Sequence, residues 1–187
     1  MWQGSPGQEV PMPLSQFVKG AERVAELCDL LEVLADDLPR KAPPVWREAV
    51  RLSSTIIPDH IDNIAHVLLP LLARRTRGET FCDTVLRRLQ TEYQDCQSQL
   101  PELTDLLGNG LSEQMPGLAP EALGFALRGH FEMIRRQIDW ERDVLLPLAR
   151  RCLIAADFNV IAQAQAFAAK HAGTDFILSG DRRWGHA

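Results

Sequence analysis

Apolar residues recur along most of this chain at alternating spacings of four and three positions, the pattern of a helix that buries one face. The first stripe predicts a helix with Ser15 as its N-cap and Pro39 as its stop. The residues of this stripe are Phe17, Ala21, Val24, Cys28, Leu31 and Ala35. Their regular spacing indicates a helix packed within a bundle.

Further stripes predict four more helices. Pro58 and Pro70 are expected to kink or break the second helix, and Pro101 to bend or interrupt the third. A loop rich in turn residues, from Gly108 to Pro120, is predicted to separate the third helix from the fourth. The predicted helices cover 45–75, 79–100 and 121–153, and a shorter fifth covers 158–171.

Four long amphipathic helices joined mostly by short turns predict an all-α fold, an up-down-up-down four-helix bundle with a short fifth helix packed across one end. The chain has 187 residues, which suits one domain of this kind. We expect an N-terminal extension at 1–13, the helical bundle at 14–173 and a C-terminal tail at 174–187.

The composition and net charge of the chain argue against several classes of function. A net charge of -5 leaves no basic excess to neutralise phosphates, so nucleic acid is not an expected partner. No uncharged stretch reaches the length of a membrane span, and the N-terminus lacks the basic start and apolar run of a signal peptide, so a cytoplasmic location is expected. The four cysteines form no C-x-x-C pair and are expected to be buried free thiols.

Four polar residues interrupt the apolar stripes: His60, Tyr93, Gln137 and Glu141. Counted from the predicted turns, they lie at one depth, about 25 Å along their helices at 1.5 Å per residue. Ala21 and Ile64 fall at the same depth. Bundles build their sites from inward residues at one level, so this layer is the candidate site.

Around this layer the sequence resembles the hemerythrin (HHE cation-binding) family over about 14–173. Three stretches carry the resemblance: Cys28-Asp29-x-Leu31-Glu32-x-Leu34-Ala35-Asp36-x-Leu38-Pro39, His60 with Leu69-Pro70-Leu71-Leu72, and Trp140-Glu141 with Leu145-Leu146-Pro147-Leu148-Ala149. These stretches are framework around the family's ligands, and they occur in order on the first, second and fourth predicted helices.

The resemblance implies a carboxylate-bridged di-iron site with one His on helix one, H-x-x-x-E on helix two, one His on helix three and H-x-x-x-E on helix four. In this sequence only His60 and Glu141 match that set. The other four positions hold Ala21, Ile64, Tyr93 and Gln137. Too few ligands and too little negative charge remain for two irons, so we expect no di-iron centre.

Our preferred interpretation is that the polar residues satisfy one another. Glu141 would accept hydrogen bonds from His60 and Tyr93, and Gln137 would bridge with its amide, because an unpaired polar group in a core is costly. Under this interpretation no cofactor is bound. The alternative is a single iron or zinc ion held by His60, Tyr93 and Glu141, with Gln137 and His130 beside it.

Three functions follow from these interpretations. The first is a non-enzymatic bundle that binds or regulates a small ligand or a protein partner. The second is a metal-dependent protein with the single-ion site or a rearranged site that recruits His130. The third is a partner-binding or homodimerising helix surface, with Trp2, Trp46 and Trp184 as exposed anchors.

Overall fold

The computed structural model describes residues 12–38, 43–111 and 119–179, and these residues form eight α-helices and two π-helical turns with no strand. All-helical architecture, as predicted from the stripes, is therefore confirmed for this part of the chain. The helices are α1 Met12–Asp36, α2 Pro43–Ser53, α3 Ile56–Asn63, α4 Leu69–Arg75, α5 Thr80–Leu111, α6 Pro120–Trp140, α7 Leu146–Cys152 and α8 Ala155–Ser179.

The predicted stripe of the first helix is buried along its whole length in α1. The helix nevertheless starts at Met12, so the N-cap predicted at Ser15 is wrong and Ser15 lies inside the first turns. The predicted stop at Pro39 lies outside the described residues, and α1 ends shortly before it.

The second predicted helix is broken, as its prolines suggested. A turn at Ser54 and Thr55 separates α2 from α3, and Pro58 lies in the first turn of α3. A π-helical turn, Ile64–Leu68, then joins α3 to α4, with Pro70 at the start of α4. A proline ring clashes with the carbonyl four residues before it, and the wider π-turn relieves this clash.

The third predicted helix, by contrast, is not interrupted. Helix α5 passes through Pro101 and continues to Leu111, so the turn predicted to begin at Gly108 is helical. Pro101 lies on the exposed face, while Leu103 and Leu107 on either side of the next turn are fully buried. The free energy gained by packing these leucines offsets the cost of the one backbone hydrogen bond that the proline removes.

The fourth predicted helix repeats the construction of the second. Helix α6 passes into a π-helical turn, Glu141–Leu145, which leads into α7 with Pro147 near its start. The two segments share Ile-Asp at their second and third positions and Val-Leu-Leu-Pro-Leu at their end, in His60–Leu71 and Gln137–Leu148. These two twelve-residue segments form a short internal repeat.

Each long helical segment packs against two neighbours. Helix α1 contacts α6 on one side and α2 and α3 on the other, and α5 contacts α2 and α4 on one side and α6 on the other. The fifth predicted helix, α8, packs against α1 and the π-turn Ile64–Leu68 and continues past Gly173, where we expected a tail. The apolar core fills the space between these segments.

Ionic contacts link two pairs of helices, one around a buried carboxylate and one between partly exposed side chains. The Asp157 side chain is fully buried at the start of α8, where it accepts hydrogen bonds from Arg74 at 2.5 Å, from Arg75 at 2.6 Å and from the backbone N–H of Ile154. These donors hold the pKa of Asp157 down to about 2. Arg135 on α6 pairs with Asp29 and Glu32 on α1, at 2.6 Å each.

Two predictions on individual side chains have opposite outcomes. The cysteines are free thiols, with Cys28, Cys82 and Cys96 buried and Cys152 partly buried, as expected. Trp46 is not an exposed anchor, because it is 1% exposed on the face of α2 that packs into the core. Trp2 and Trp184 lie outside the described residues.

A membrane span was not expected, and among the described residues no helix has the length and apolar character that crossing a membrane requires.

Candidate functional site

Glu141 is the centre of the predicted polar layer. Its carboxylate is 1% exposed, and each oxygen accepts one hydrogen bond: Oε2 from His60 Nε2 at 2.7 Å and Oε1 from the Tyr93 hydroxyl at 2.7 Å. Three helical segments that are distant in sequence therefore meet at one carboxylate. We call His60, Tyr93 and Glu141 the core triad.

The two π-turns explain why these residues meet. Glu141 is the first residue of the second π-turn, and its counterpart in the first segment is Ile64. His60 precedes the first π-turn by one helical turn, and its counterpart in the second segment is Gln137. The first segment therefore supplies the histidine that precedes its π-turn, and the second supplies the glutamate that begins its π-turn.

The directions of these hydrogen bonds follow from the chemistry of a carboxylate, which only accepts. The phenol of Tyr93 donates its proton, and Nε2 of His60 donates as well. In the neutral imidazole the other ring nitrogen, Nδ1, then carries the lone pair. The triad thus fixes the tautomer of His60.

Burial is the main reason that the Tyr93 phenol keeps its proton. It raises the pKa of Tyr93 well above its ordinary value, and the adjacent Glu141 carboxylate raises it further by charge and by accepting the proton. The nearby amide of Gln137 acts in the opposite direction and is the weakest of these influences. A phenolate would therefore need a strong local cation to form.

Gln137 is the least satisfied member of the layer. Its side chain is buried, but Nε2 has no hydrogen-bond partner, so the bridge that we predicted for its amide is not formed. Gln137 lines a cavity of about 10 Å³ together with His60 and Glu141. That volume is at the lower limit for one water molecule.

On helix α1, the residue that meets the imidazole of His60 is Gly20, where an added Cβ would lie 2.6 Å from Nδ1. Ala21 is buried beside it, and Ile64 is fully buried on the first π-turn. The sequence signal that could have revealed Gly20 is the glycine in the middle of a strong helical stripe, which weakens a helix unless close packing requires it.

His130 stays apart from the core triad. It is buried on α6, where desolvation lowers its pKa and Glu102 opposes the shift. Its ring makes no hydrogen bond with any of the triad residues. On α6 it precedes Gln137 by two helical turns, about 10 Å along the axis, and the rearranged site that would recruit His130 stays a prediction.

These residues do not fit a di-iron group. Ala21 and Ile64 have no donor atoms, both oxygens of Glu141 are already hydrogen-bonded, and the enclosed volume beside them is about 10 Å³. Two bridged metals lie about 3.5–4 Å apart and need ligands on both sides. Among the described residues, no group of three His, Cys, Asp or Glu side chains is arranged to share an ion.

Two buried thiols near the layer give the chain a testable alkaline sensitivity. Burial raises the pKa of Cys28 to about 12 and that of Cys96 to about 11, against an ordinary value of 9.0. Arg135 opposes the shift at Cys28, and Glu141 reinforces it at Cys96. Above pH 9 the unfolded chain therefore loses these protons while the folded chain keeps them.

We expect the free energy of unfolding to fall as the pH rises from about 9 to about 11, by about 1.4 kcal/mol per pH unit for each thiol. Urea unfolding at several pH values measures this slope. The Cys28→Ala/Cys96→Ala variant, whatever its stability at pH 8, should show a shallower slope over the same interval. An unchanged slope in that variant would show that the two thiols ionise alike in the folded and unfolded chains.

Comparison of the chain with protein-family models, with curated proteins and with solved structures finds no match.

Proposed function

We propose that this chain is a divergent hemerythrin-like domain, an up-down-up-down four-helix bundle with α8 as a fifth helix, in which the core triad occupies the place of the family's metal centre. The order of the framework motifs supports this proposal, as does the closed ring of contacts from α1 through α6 and α5 back to α2 and α3.

The observation that carries the proposal is the state of Glu141. Both of its oxygens are satisfied by protons from His60 and Tyr93, at 2.7 Å each. Ligand atoms held by a shared ion lie farther apart, because each sits about 2.0–2.2 Å from the metal on a different side. A proton on Nε2 and another on the phenol replace the cation as the partners of the carboxylate.

The function that follows is binding or regulation without catalysis, in the cytoplasm, and without a metal cofactor. The partner is a small ligand or a protein, and a second copy of the chain is one form that a protein partner could take. Nucleic acid and membranes are disfavoured, because the net charge is -5 and the described helices offer no span.

Reconstitution with metal tests this proposal. Purified protein incubated with Fe(III) or Zn(II) and then desalted should retain no stoichiometric metal, gain no thermal stability and stay colourless. After iron addition, Tyr93→Phe should give the same visible absorption spectrum as the wild type, since no iron-bound tyrosinate forms in either protein. Tight zinc retention or a stabilising shift would contradict the metal-free account.

A single-ion site remains the second candidate, because three different donor atoms converge on one point: Nε2 of His60, the hydroxyl of Tyr93 and the carboxylate of Glu141. Its signature would be a visible charge-transfer band after iron addition that Tyr93→Phe abolishes. That result would replace the first proposal with the second.

A further inference from the structure

The small cavity beside Gln137 lies at the centre of the bundle. Its lining includes residues from all four long helical segments: Val24 from α1, His60 from α3, Cys96 from α5, and Gln137 and Glu141 from α6 and the second π-turn. Its volume is about 10 Å³. A cavity needs roughly 10–15 Å³ to hold one water molecule, so this cavity has room for a single water and for nothing larger.

The side-chain amide of Gln137 lacks a partner at this cavity. Gln137 is 6% exposed, and no hydrogen-bond partner reaches its Nε2. The Tyr93 hydroxyl lies near the amide, but it donates its own proton to Glu141. A buried polar group without a protein partner is costly, and an ordered water is its usual partner.

The groups around the cavity suit a water molecule better than a cation. The amide N–H of Gln137 is a donor, so it needs an acceptor and repels a positive ion. Each oxygen of Glu141 accepts one hydrogen bond already, but a carboxylate oxygen has a second lone pair that can accept another. Sγ of Cys96 is a third polar atom in the lining and a weak acceptor. A water can therefore accept from Gln137 and donate to Glu141 at the same time.

We propose that this cavity binds one water molecule, which accepts a hydrogen bond from Nε2 of Gln137 and donates one to the carboxylate of Glu141. The inference rests on the proposed metal-free function, because the water takes the central position that a metal ion would need. The buried carboxylate then has three donors, His60, Tyr93 and the water. A third donor lowers the cost of keeping its charge away from bulk solvent.

The test measures the nuclear Overhauser effect (NOE) between water and the side-chain amide protons of Gln137 in the ¹⁵N-labelled full-length protein. Gln137→Met assigns the amide signal. The wild type should show the NOE with the sign of a long-lived bound water. Val24→Ile adds a methyl group at the cavity wall and should abolish the NOE, whereas Val33→Ile, at a position that is 62% exposed on the same helix, should keep it.

A second variant separates bound water from exchange of the nearby Tyr93 hydroxyl proton. Tyr93→Phe removes this hydroxyl, and Tyr93 is not among the residues that line the cavity, so the NOE should persist. Tyr93 is also the only tyrosine of the chain, so a ¹³Cζ-tyrosine label gives one NMR signal that reports on its hydrogen bond to Glu141. Because the water shares Glu141 with Tyr93, Val24→Ile should shift this signal. An unshifted signal would contradict the hydrogen bond assigned to Glu141.

The inference is wrong if the wild type shows no NOE, if Val24→Ile keeps it while folding normally by circular dichroism, or if Tyr93→Phe loses it. Metal content is measured on the same sample. A metal-free protein without the NOE overturns this inference alone, whereas one metal ion per chain overturns the proposed function.

Discussion

Glu141→Ala is expected to lower the free energy of unfolding by about 3–5 kcal/mol, because it leaves the Tyr93 hydroxyl and Nε2 of His60 buried without their shared acceptor. Denaturant unfolding measures the change. Glu141→Gln should cost much less, about 1 kcal/mol, since the amide oxygen can accept from Tyr93 while the amide nitrogen donates to His60. That exchange requires His60 to move its proton to Nδ1, which ¹⁵N chemical shifts of the imidazole would reveal.

Glu132→Ala is the matched control for this loss. Glu132 lies on the same helical segment but is 68% exposed and reaches Arg135 only at 3.9 Å, so its removal should change stability by less than about 0.5 kcal/mol. If Glu141→Ala costs no more than Glu132→Ala, the core triad is not the sealed, mutually satisfied cluster described above.

Gly20→Ala and Gly129→Ala should change stability in opposite directions. Both glycines lie inside long helices, where alanine is favoured by roughly 0.5–1 kcal/mol. An added Cβ at Gly129 meets nothing within 4 Å, so this variant should be more stable. At Gly20 the Cβ would lie 2.6 Å from His60 Nδ1, and displacing the ring should cost about 1–3 kcal/mol.

Thermal or denaturant unfolding of the two glycine variants gives this comparison directly. Gly20→Ala should also disturb the ¹³Cζ signal of Tyr93, because the displaced His60 ring no longer donates to Glu141. A stabilised Gly20→Ala with an unchanged Tyr93 signal would mean that α1 does not pack against the imidazole as closely as described.

The hydrophobic pattern predicted the helices well because burial of one face is what holds them in place. Every residue of the α1 stripe is buried, and the polar residues that interrupt the stripes of α3, α5 and α6 lie inside the protein. The two hydrogen bonds to Glu141 could also be predicted, since a buried carboxylate must find donors and His60 and Tyr93 were the donors at its level.

Helix ends and interruptions were harder to predict, because local signals compete with packing. Pro101 does not stop α5, since Leu103 and Leu107 beyond it are buried and hold the helix in place. The 3.6-residue period of the apolar stripes does not indicate the π-turns, because a single wide turn shifts the register without ending the stripe. The repeated Val-Leu-Leu-Pro-Leu was the signal that could have revealed them.

The sequence pattern could not predict which residues of different helices touch one another. Nothing in the pattern says that Gly20 rather than Ala21 meets the His60 ring, because both fit the inner face of α1. The pattern also could not predict that Gln137 Nε2 lacks a hydrogen-bond partner, since this depends on ångström-scale distances within the layer. The pattern likewise did not identify α1 and the first π-turn as the partners of α8, which completes a pocket beside His60.

The most direct test of the account is the metal content of the protein purified without a metal-affinity tag from cells grown with added iron. The hydrogen bonds at Glu141 predict iron and zinc well below one ion per chain by elemental analysis. One iron or zinc ion per chain would contradict the account and assign His60, Tyr93 and Glu141 to a metal site instead.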